Sequence, residues 1–105
     1  MRYYKYMYCS EGIHKRRVIR SIENGKLQRK AYLITLSEHK ENQLDIINAN
    51  YFLQPEYPQK DCFVVGIAEN HGKALELVEK ISQEVYDSTK GLDIRSYILN
   101  KEQEG

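Results

Sequence analysis

Residues 61–86 constrain the fold more than any other part of this sequence. Residues 61–68 form an apolar run rich in Val, Ile and Phe between polar neighbours, which predicts a buried strand. After a short loop, apolar side chains recur at helical spacing, at positions 74, 77, 78, 81 and 85. We predict a helix over about 71–88 that Asn70 caps, that Gly91 ends and that packs against the strand.

The N-terminal segment 2–9 is rich in tyrosine and lacks Gly and Pro, so it predicts a second strand. Alternation along this strand places Tyr4, Tyr6 and Tyr8 on one face.

Residues 12–24 have two interpretations. The first is a helix that starts near Glu11, is capped by Ser10 and ends at Asn24-Gly25. The second is a β-hairpin that turns at Asn24-Gly25, with strands over 15–22 and 27–36. We favour the helix because apolar positions 18, 19 and 22 share one helical face but split between the two faces of a strand.

The rest of the chain predicts two more strands and a C-terminal element. Residues 30–37 are apolar through their centre, which is typical of a central strand. Residues 43–48 predict a strand that runs into a short helical turn near 50–53, although Leu44, Ile47 and Tyr51 also fit a helix. Pro55 and Pro58 predict a loop over 54–60. Residues 92–99 fit a short helix or an edge strand.

With 105 residues, of which 41% are hydrophobic, the chain has the size of one domain, over 1–100, with a polar, frayed tail over 101–105. The elements predict an α+β fold, a two-layer sandwich. Its sheet has about four strands, antiparallel or mixed, with two main helices, the first and the long one, on one face. The other face then needs cover, so we expect a homodimer formed through residues 32–36 or the edge of the sheet.

Composition restricts the location and the chemistry. No run of 18 apolar residues and no signal peptide is present, so we expect a cytoplasmic protein that does not bind membranes. Cys9 and Cys62 are too few for a disulfide framework and are expected to remain thiols.

No pattern in the chain predicts a catalytic, cofactor-binding or metal site. His14, His39 and His71 lack the spacing of metal ligands, and no motif of an activated Ser or Cys is present. The carboxylates at positions 76, 79, 84 and 87 fall on the polar side of the long helix and predict a solvated surface. We therefore expect a non-enzymatic interaction protein that acts as a homo-oligomer and has no cofactor.

A nucleic-acid-binding protein is one alternative, because charge is unevenly distributed. Residues 1–30 contain nine Lys or Arg against two Glu, a balance of +7, whereas the other residues sum to −6. The residues that would contact phosphates from a basic N-terminal helix are Arg16, Arg17, Arg20, Lys26 and Arg29. If Tyr4, Tyr6 and Tyr8 lay exposed beside them, their rings would stack on unpaired bases.

A small-ligand or anion site in the loop between the strand and the long helix is a second alternative. Gly66, Asn70, His71 and Gly72 lie where free backbone N–H groups of a helix start can hold an anion. The loop lacks the glycine spacing of a phosphate-binding motif, and Glu69 adds negative charge there. A close-packing role for Gly66 and a capping role for Asn70 explain the same residues.

Several segments in the last 65 residues resemble a group of small uncharacterised bacterial proteins. These are Phe63-Val-Val-Gly-Ile-Ala68, Ala74-Leu-Glu-Leu-Val78, Gln83-Glu-Val-Tyr86, Gly91-Leu-Asp-Ile-Arg95 and Asn42-Gln-Leu-Asp-Ile46. The resemblance implies a stand-alone bacterial domain and assigns no activity, cofactor or functional residue to any position.

Overall fold

The computed structural model describes residues 1–26, 31–37, 43–53 and 62–104. In chain order its elements are strand β1 (Arg2–Cys9), helix α1 (Lys15–Glu23), strands β2 (Tyr32–Leu36) and β3 (Leu44–Asn48), a 3-10 helix (Ala49–Leu53), strand β4 (Phe63–Ala68), and helices α2 (His71–Thr89) and α3 (Ile94–Glu104). The predicted loop over 54–60, Arg29 and His39 lie outside the described residues.

The four strands form one mixed sheet in the order β1-β4-β2-β3. β1 runs parallel to β4, while β2 is antiparallel to both β4 and β3. The predicted α+β class, the four-stranded mixed sheet and the central place of β2 are confirmed.

β4 contains a β-bulge at its centre. Ile34 of β2 lies opposite Gly66 but Thr35 lies opposite Val64, so Val65 is an extra residue on β4. A Cβ atom on Gly66 would lie 3.1 Å from Cδ1 of Ile34 and 3.2 Å from the carbonyl oxygen of Tyr8. Gly66 therefore lets three strands approach closely at the bulge.

Helices cover both faces of the sheet. On one side, which we call the α2/α3 face, Tyr4, Ile34 and Val65 pack against α2 and α3. On the other, the α1 face, Leu33 and Val64 pack against α1 and the 3-10 helix.

Two helices do lie on one face, but they are α2 and α3, so the prediction that the first helix shares a face with the long helix is wrong. β2 and β4 are apolar on both faces, and each face needs its own cover. An uncovered sheet face is therefore not available as a dimer interface within the described part of the chain.

The helix interpretation of residues 12–24 is confirmed, but α1 begins at Lys15 with His14 in the N-cap position. Ser10 does not cap it, because the Ser10 hydroxyl oxygen accepts a hydrogen bond from the Glu69 N–H at 3.0 Å. The helix ends before Asn24-Gly25, where Gly25 has a φ of +69°.

The long helix forms as predicted and α3 is longer than expected. The Asn70 side chain caps α2 by accepting a hydrogen bond from the Lys73 N–H at 2.8 Å. At the other end Lys90, with a φ of 60°, takes the left-handed position that we expected of Gly91. Residues 101–104 of the predicted tail form the last turn of α3.

Candidate functional site

Helix α1 presents a cationic surface, which we define as Lys15, Arg16, Arg17 and Arg20. All four side chains are exposed. Arg16, Arg17 and Arg20 lie on the side of the helix opposite the apolar residues that pack onto the α1 face, and Lys15 is the first residue of the helix. None of the four forms an ion pair with a described carboxylate. Lys26 is also exposed, beyond the end of α1.

Electrostatics make the start of α1 unusual. Its first turn contains no acidic residue, and the His14 side chain makes no capping hydrogen bond. Lys15, Arg16 and Arg17 therefore place positive charge at the positive end of the helix dipole, an arrangement that costs a few tenths of a kcal/mol per residue. A shallow groove of about 480 Å³ adjoins them and is lined also by Ile13 and His14. An anionic partner would relieve this repulsion.

The tyrosine face of β1 lies on the opposite side of the sheet from the cationic surface. Tyr4 is 2% exposed, and its ring contacts those of Tyr6 and Tyr8 at centroid distances of 5.8 and 6.2 Å. α3 covers this face: Lys101 lies 5.7 Å above the Tyr6 ring. The predicted use of these rings for base stacking beside the basic helix is therefore wrong, because they lie across the sheet from that helix.

Glu84 is the centre of a polar cluster that sequence reasoning missed. Its Oε2 atom accepts hydrogen bonds from the Tyr8 hydroxyl at 2.5 Å and the Tyr97 hydroxyl at 2.9 Å. The Lys101 ammonium group lies 3.9 Å from the same oxygen. The assignment of Glu84 to a solvated surface was wrong, because its partner Tyr8 is brought there from the far end of the chain.

Burial and the nearby carboxylate perturb two phenols in this cluster. Burial, followed by the charges of Tyr97 and Glu84, raises the pKa of Tyr4 to about 12. Burial and the hydrogen bond to Glu84 also raise the pKa of Tyr8. The Tyr4 hydroxyl has no hydrogen-bond partner within the described ranges. Both shifts favour the protonated phenols at neutral pH.

Two backbone donors at the junction of β4 and α2 have acceptors within the protein. The Glu69 N–H donates to Ser10, and the Lys73 N–H donates to Asn70. The His71 ring packs edge-on against the Tyr32 ring at 5.7 Å, and Glu69 pairs with Lys73 at 3.6 Å. Gly66 lies inside β4 and Gly72 in the first turn of α2, so the candidate anion-binding residues do not converge on one point.

The described histidines and cysteines are far apart in the fold. His14 precedes α1 and His71 opens α2, on opposite faces of the sheet. Cys9 ends β1 and Cys62 precedes β4, and the parallel pairing of these strands places the two thiols at opposite ends. Burial raises the pKa of the Cys9 thiol. Among the described residues, no three His, Cys, Asp or Glu side chains are grouped as metal ligands.

One flank of α2 exposes apolar side chains. We define the outer flank as Leu75, Val78, Ser82 and Tyr86, of which Leu75 and Tyr86 are each about half exposed. Leu92, just beyond α2, is 63% exposed and lines a groove with Val78, Ser82 and Tyr86. This flank is the main exposed apolar surface of the described residues.

Comparisons with protein-family models, with curated proteins and with solved structures find no match to this chain. In the part of the chain that the structure describes, no helix is long and apolar enough to cross a bilayer.

Proposed function

We propose that this chain is a non-enzymatic interaction protein that acts as a homodimer in the bacterial cytoplasm. The observation that carries the proposal is the open edge of the sheet at β3. β3 is the last strand in the order β1-β4-β2-β3, and within the described ranges no strand pairs with its outer side. An open strand edge offers unpaired N–H and C=O groups that favour association with another chain.

The opposite edge of the sheet is protected, which supports β3 as the site of association. The backbone N–H of Lys5 on β1 donates to the Glu102 side chain of α3 at 3.0 Å. A charged side chain on an edge strand discourages pairing there. With helices on both faces and the Lys5 N–H of β1 bonded to Glu102, β3 is the more open edge of the sheet within the described ranges.

The mass of the protein in solution tests this proposal. Sedimentation velocity at micromolar concentrations should give twice the chain mass of 12.4 kDa. A species of 12.4 kDa over the whole concentration range would contradict the homodimer.

Nucleic-acid binding by the cationic surface is a second candidate function. Its support is the exposure of Lys15, Arg16, Arg17 and Arg20 without ion-pair partners among the described residues. Such a surface would contact backbone phosphates without reading sequence. Because the tyrosine face lies across the sheet, the proposal includes no base stacking.

Anisotropy of labelled single-stranded RNA and duplex DNA at low salt tests this second candidate. Arg16→Gln combined with Arg20→Gln should weaken binding and lower the slope of log affinity against log salt by about 0.7–0.9 per lost phosphate contact. The matched control is Lys80→Gln with Lys90→Gln, which removes the same charge from one exposed position on α2 and from the exposed residue that follows it. Equal effects of the two double variants, or no binding by the unmodified protein, would overturn it.

A further inference from the structure

Alternation along β3 fixes which backbone groups point away from the sheet. The Ala49 N–H donates to the Ala31 carbonyl at 2.9 Å, and the Ser37 N–H donates to the Gln43 carbonyl at 3.0 Å. With the observed register, odd-numbered residues from 43 to 49 therefore direct their hydrogen bonds toward β2. The N–H groups of Leu44, Ile46 and Asn48 then point to the open edge.

We propose that β3 pairs antiparallel with β3 of a second copy, across a two-fold axis that passes beside Ile46. This inference rests on the proposed homodimer and names its interface. The outward groups are spaced symmetrically about Ile46, so the edge is complementary to itself. Ile46 would exchange a mutual pair of hydrogen bonds with Ile46 of the other copy, and at each end the Asn48 N–H would donate to the Leu44 carbonyl of the other copy.

Side chains at this edge fit the same arrangement. Leu44 and Ile46 lie on the α2/α3 face and are only half-buried. Across the proposed axis, Ile46 lies beside its own copy, and a β-branched pair of this kind stabilises a sheet. Asp45 lies opposite Ile47 rather than opposite its own copy, so the register avoids a direct like-charge pair.

The outer flank of α2 lies on the same side of the molecule as the β3 edge. Glu84 faces α3, which packs over β1, whereas α2 also contacts β2 and β3. At 3.6 residues per turn, Ser82 and Tyr86 lie on the side of α2 opposite Glu84 and so face the β3 side. Leu92 is held there as well, because its carbonyl accepts a hydrogen bond from the Gln43 side chain at 2.5 Å.

This shared location explains why a second copy is the expected occupant. Antiparallel pairing about an axis perpendicular to the sheet keeps both α2 helices on the same face of an eight-stranded sheet. The two outer flanks would then face each other across the axis, and the partly buried Leu44 and Ile46 side chains would lie between them. One contact would thus cover the open edge and shelter the exposed apolar flank.

Substitution of Ile46 by proline tests the pairing. The Ile46 N–H points outward, so Ile46→Pro removes an interchain donor without removing a hydrogen bond to β2. We expect the dimer dissociation constant from sedimentation equilibrium to rise at least tenfold. Ile46→Val keeps the N–H and the β-branched side chain and should leave it within a few-fold of the unmodified protein. Far-UV circular dichroism checks that both variants are folded.

A disulfide cross-link gives a second readout that does not depend on the proline variant. Directly opposed residues of a hydrogen-bonded antiparallel pair have Cα atoms about 5.5 Å apart, within the range that a disulfide spans. In a protein with Cys9→Ser and Cys62→Ser, the substitution Ile46→Cys should give a covalent dimer on mild oxidation. Leu92→Cys in the same background should not, because Leu92 lies beside Gln43, which comes before the start of β3 and is three residues along the chain from the axis at Ile46.

The outcomes separate this inference from the proposed function. A monomeric unmodified protein would overturn both. A dimer that survives Ile46→Pro and is not cross-linked by Ile46→Cys would leave the homodimer standing and overturn the strand pairing. A dimer cross-linked through Leu92→Cys would place the interface at the groove between Leu92 and the outer flank of α2, and would also overturn the strand pairing.

Discussion

The two faces of the sheet are covered by helices of opposite character. On the α2/α3 face, α2 has 19 residues, a side-chain N-cap and four buried apolar residues: Ala74, Leu77, Ile81 and Val85. On the α1 face, α1 has nine residues, no side-chain cap and a single buried side chain, Ile22. α2 therefore satisfies the local rules of helix formation, whereas α1 breaks several of them.

This difference suggests that α2 mainly stabilises the fold, whereas α1 presents a candidate binding surface. α2 has the capping and the apolar stripe that a helix needs, so its cap and its buried residues are explained by folding alone. α1 is held by tertiary packing in spite of the three cations in its first turn. Positions that break a local rule without compensation are expected at functional surfaces, which is why the cationic surface merits a binding test.

Truncation of one buried isoleucine on each face should give the largest effect. Ile81→Ala should lower the free energy of unfolding by about 2–5 kcal/mol, because Ile81 is fully enclosed and a cavity would remain. Ile22→Ala should cost less, about 2 kcal/mol, because half-buried neighbours on the short α1 can shift into the space. Urea unfolding followed by circular dichroism measures both, and equal losses would contradict the difference between the faces.

Alkaline pH should weaken the α2/α3 face. Because burial raises the pKa of Tyr4 to about 12 from an ordinary value of 10.0, the folded protein retains a proton that the unfolded chain loses. This stabilisation is complete below pH 10 and is lost as pH rises from 10 to 12, by about 1.4 kcal/mol per pH unit for each such tyrosine.

The pH dependence is measured by urea unfolding at a series of pH values. Tyr4→Phe combined with Tyr8→Phe should flatten the decline above pH 10, since the pKa of Tyr8 is also raised. A decline of unchanged steepness in the double variant would show that other groups cause it.

Removal of the Tyr8 hydroxyl and removal of the Tyr4 hydroxyl should change the free energy of unfolding by different amounts. Tyr8→Phe should cost about 1–2 kcal/mol, because Glu84 loses the donor at 2.5 Å. Tyr4→Phe should be neutral or stabilise by up to about 1 kcal/mol, since the hydroxyl it removes has no partner among the described residues. The midpoint of urea unfolding measures both, and a larger loss for Tyr4→Phe would reverse their assigned roles.

Substitutions at the two N-cap positions should give the smallest changes in stability, and the two changes should have opposite signs. Asn70→Ala should destabilise by about 1 kcal/mol, because the Lys73 N–H loses its acceptor. His14→Asn should stabilise by about 0.5–1 kcal/mol, since it supplies α1 with the side-chain cap that it lacks. Thermal melting measures both changes, and a loss on His14→Asn would mean that His14 makes a contact that Asn cannot replace.

Sequence reasoning succeeded where the information is local. The strand at 63–68, the helix that follows and its Asn70 cap depend on side chains close together in the chain. It failed for the start of α1 because Ser10 binds Glu69, 59 residues away, instead of capping a helix. The Glu84 cluster was missed for the same reason, since Tyr8 lies 76 residues before its partner.

Some properties of the candidate surfaces are likewise visible in the sequence, whereas others depend on the tertiary structure. The charge imbalance of the first 30 residues is visible in the sequence and correctly indicates an exposed cationic helix side. The separation of this cationic surface from Tyr4, Tyr6 and Tyr8 is not visible in the sequence, because it depends on which face of the sheet α1 covers. The open edge also depends on strand order, which no local pattern contains.

The sequence alone determined the α+β class, the approximate places of the strands and of the long helix, and the apolar stripe of α2, because periodicity and capping act over a few residues. Only the tertiary structure decided that α1 and α2 cover opposite faces, that β3 lies at the edge and that Glu84 binds two tyrosines. The physical reason is that both faces of β2 and β4 are apolar. Both faces must therefore be covered, and the helices that cover them come from distant parts of the chain.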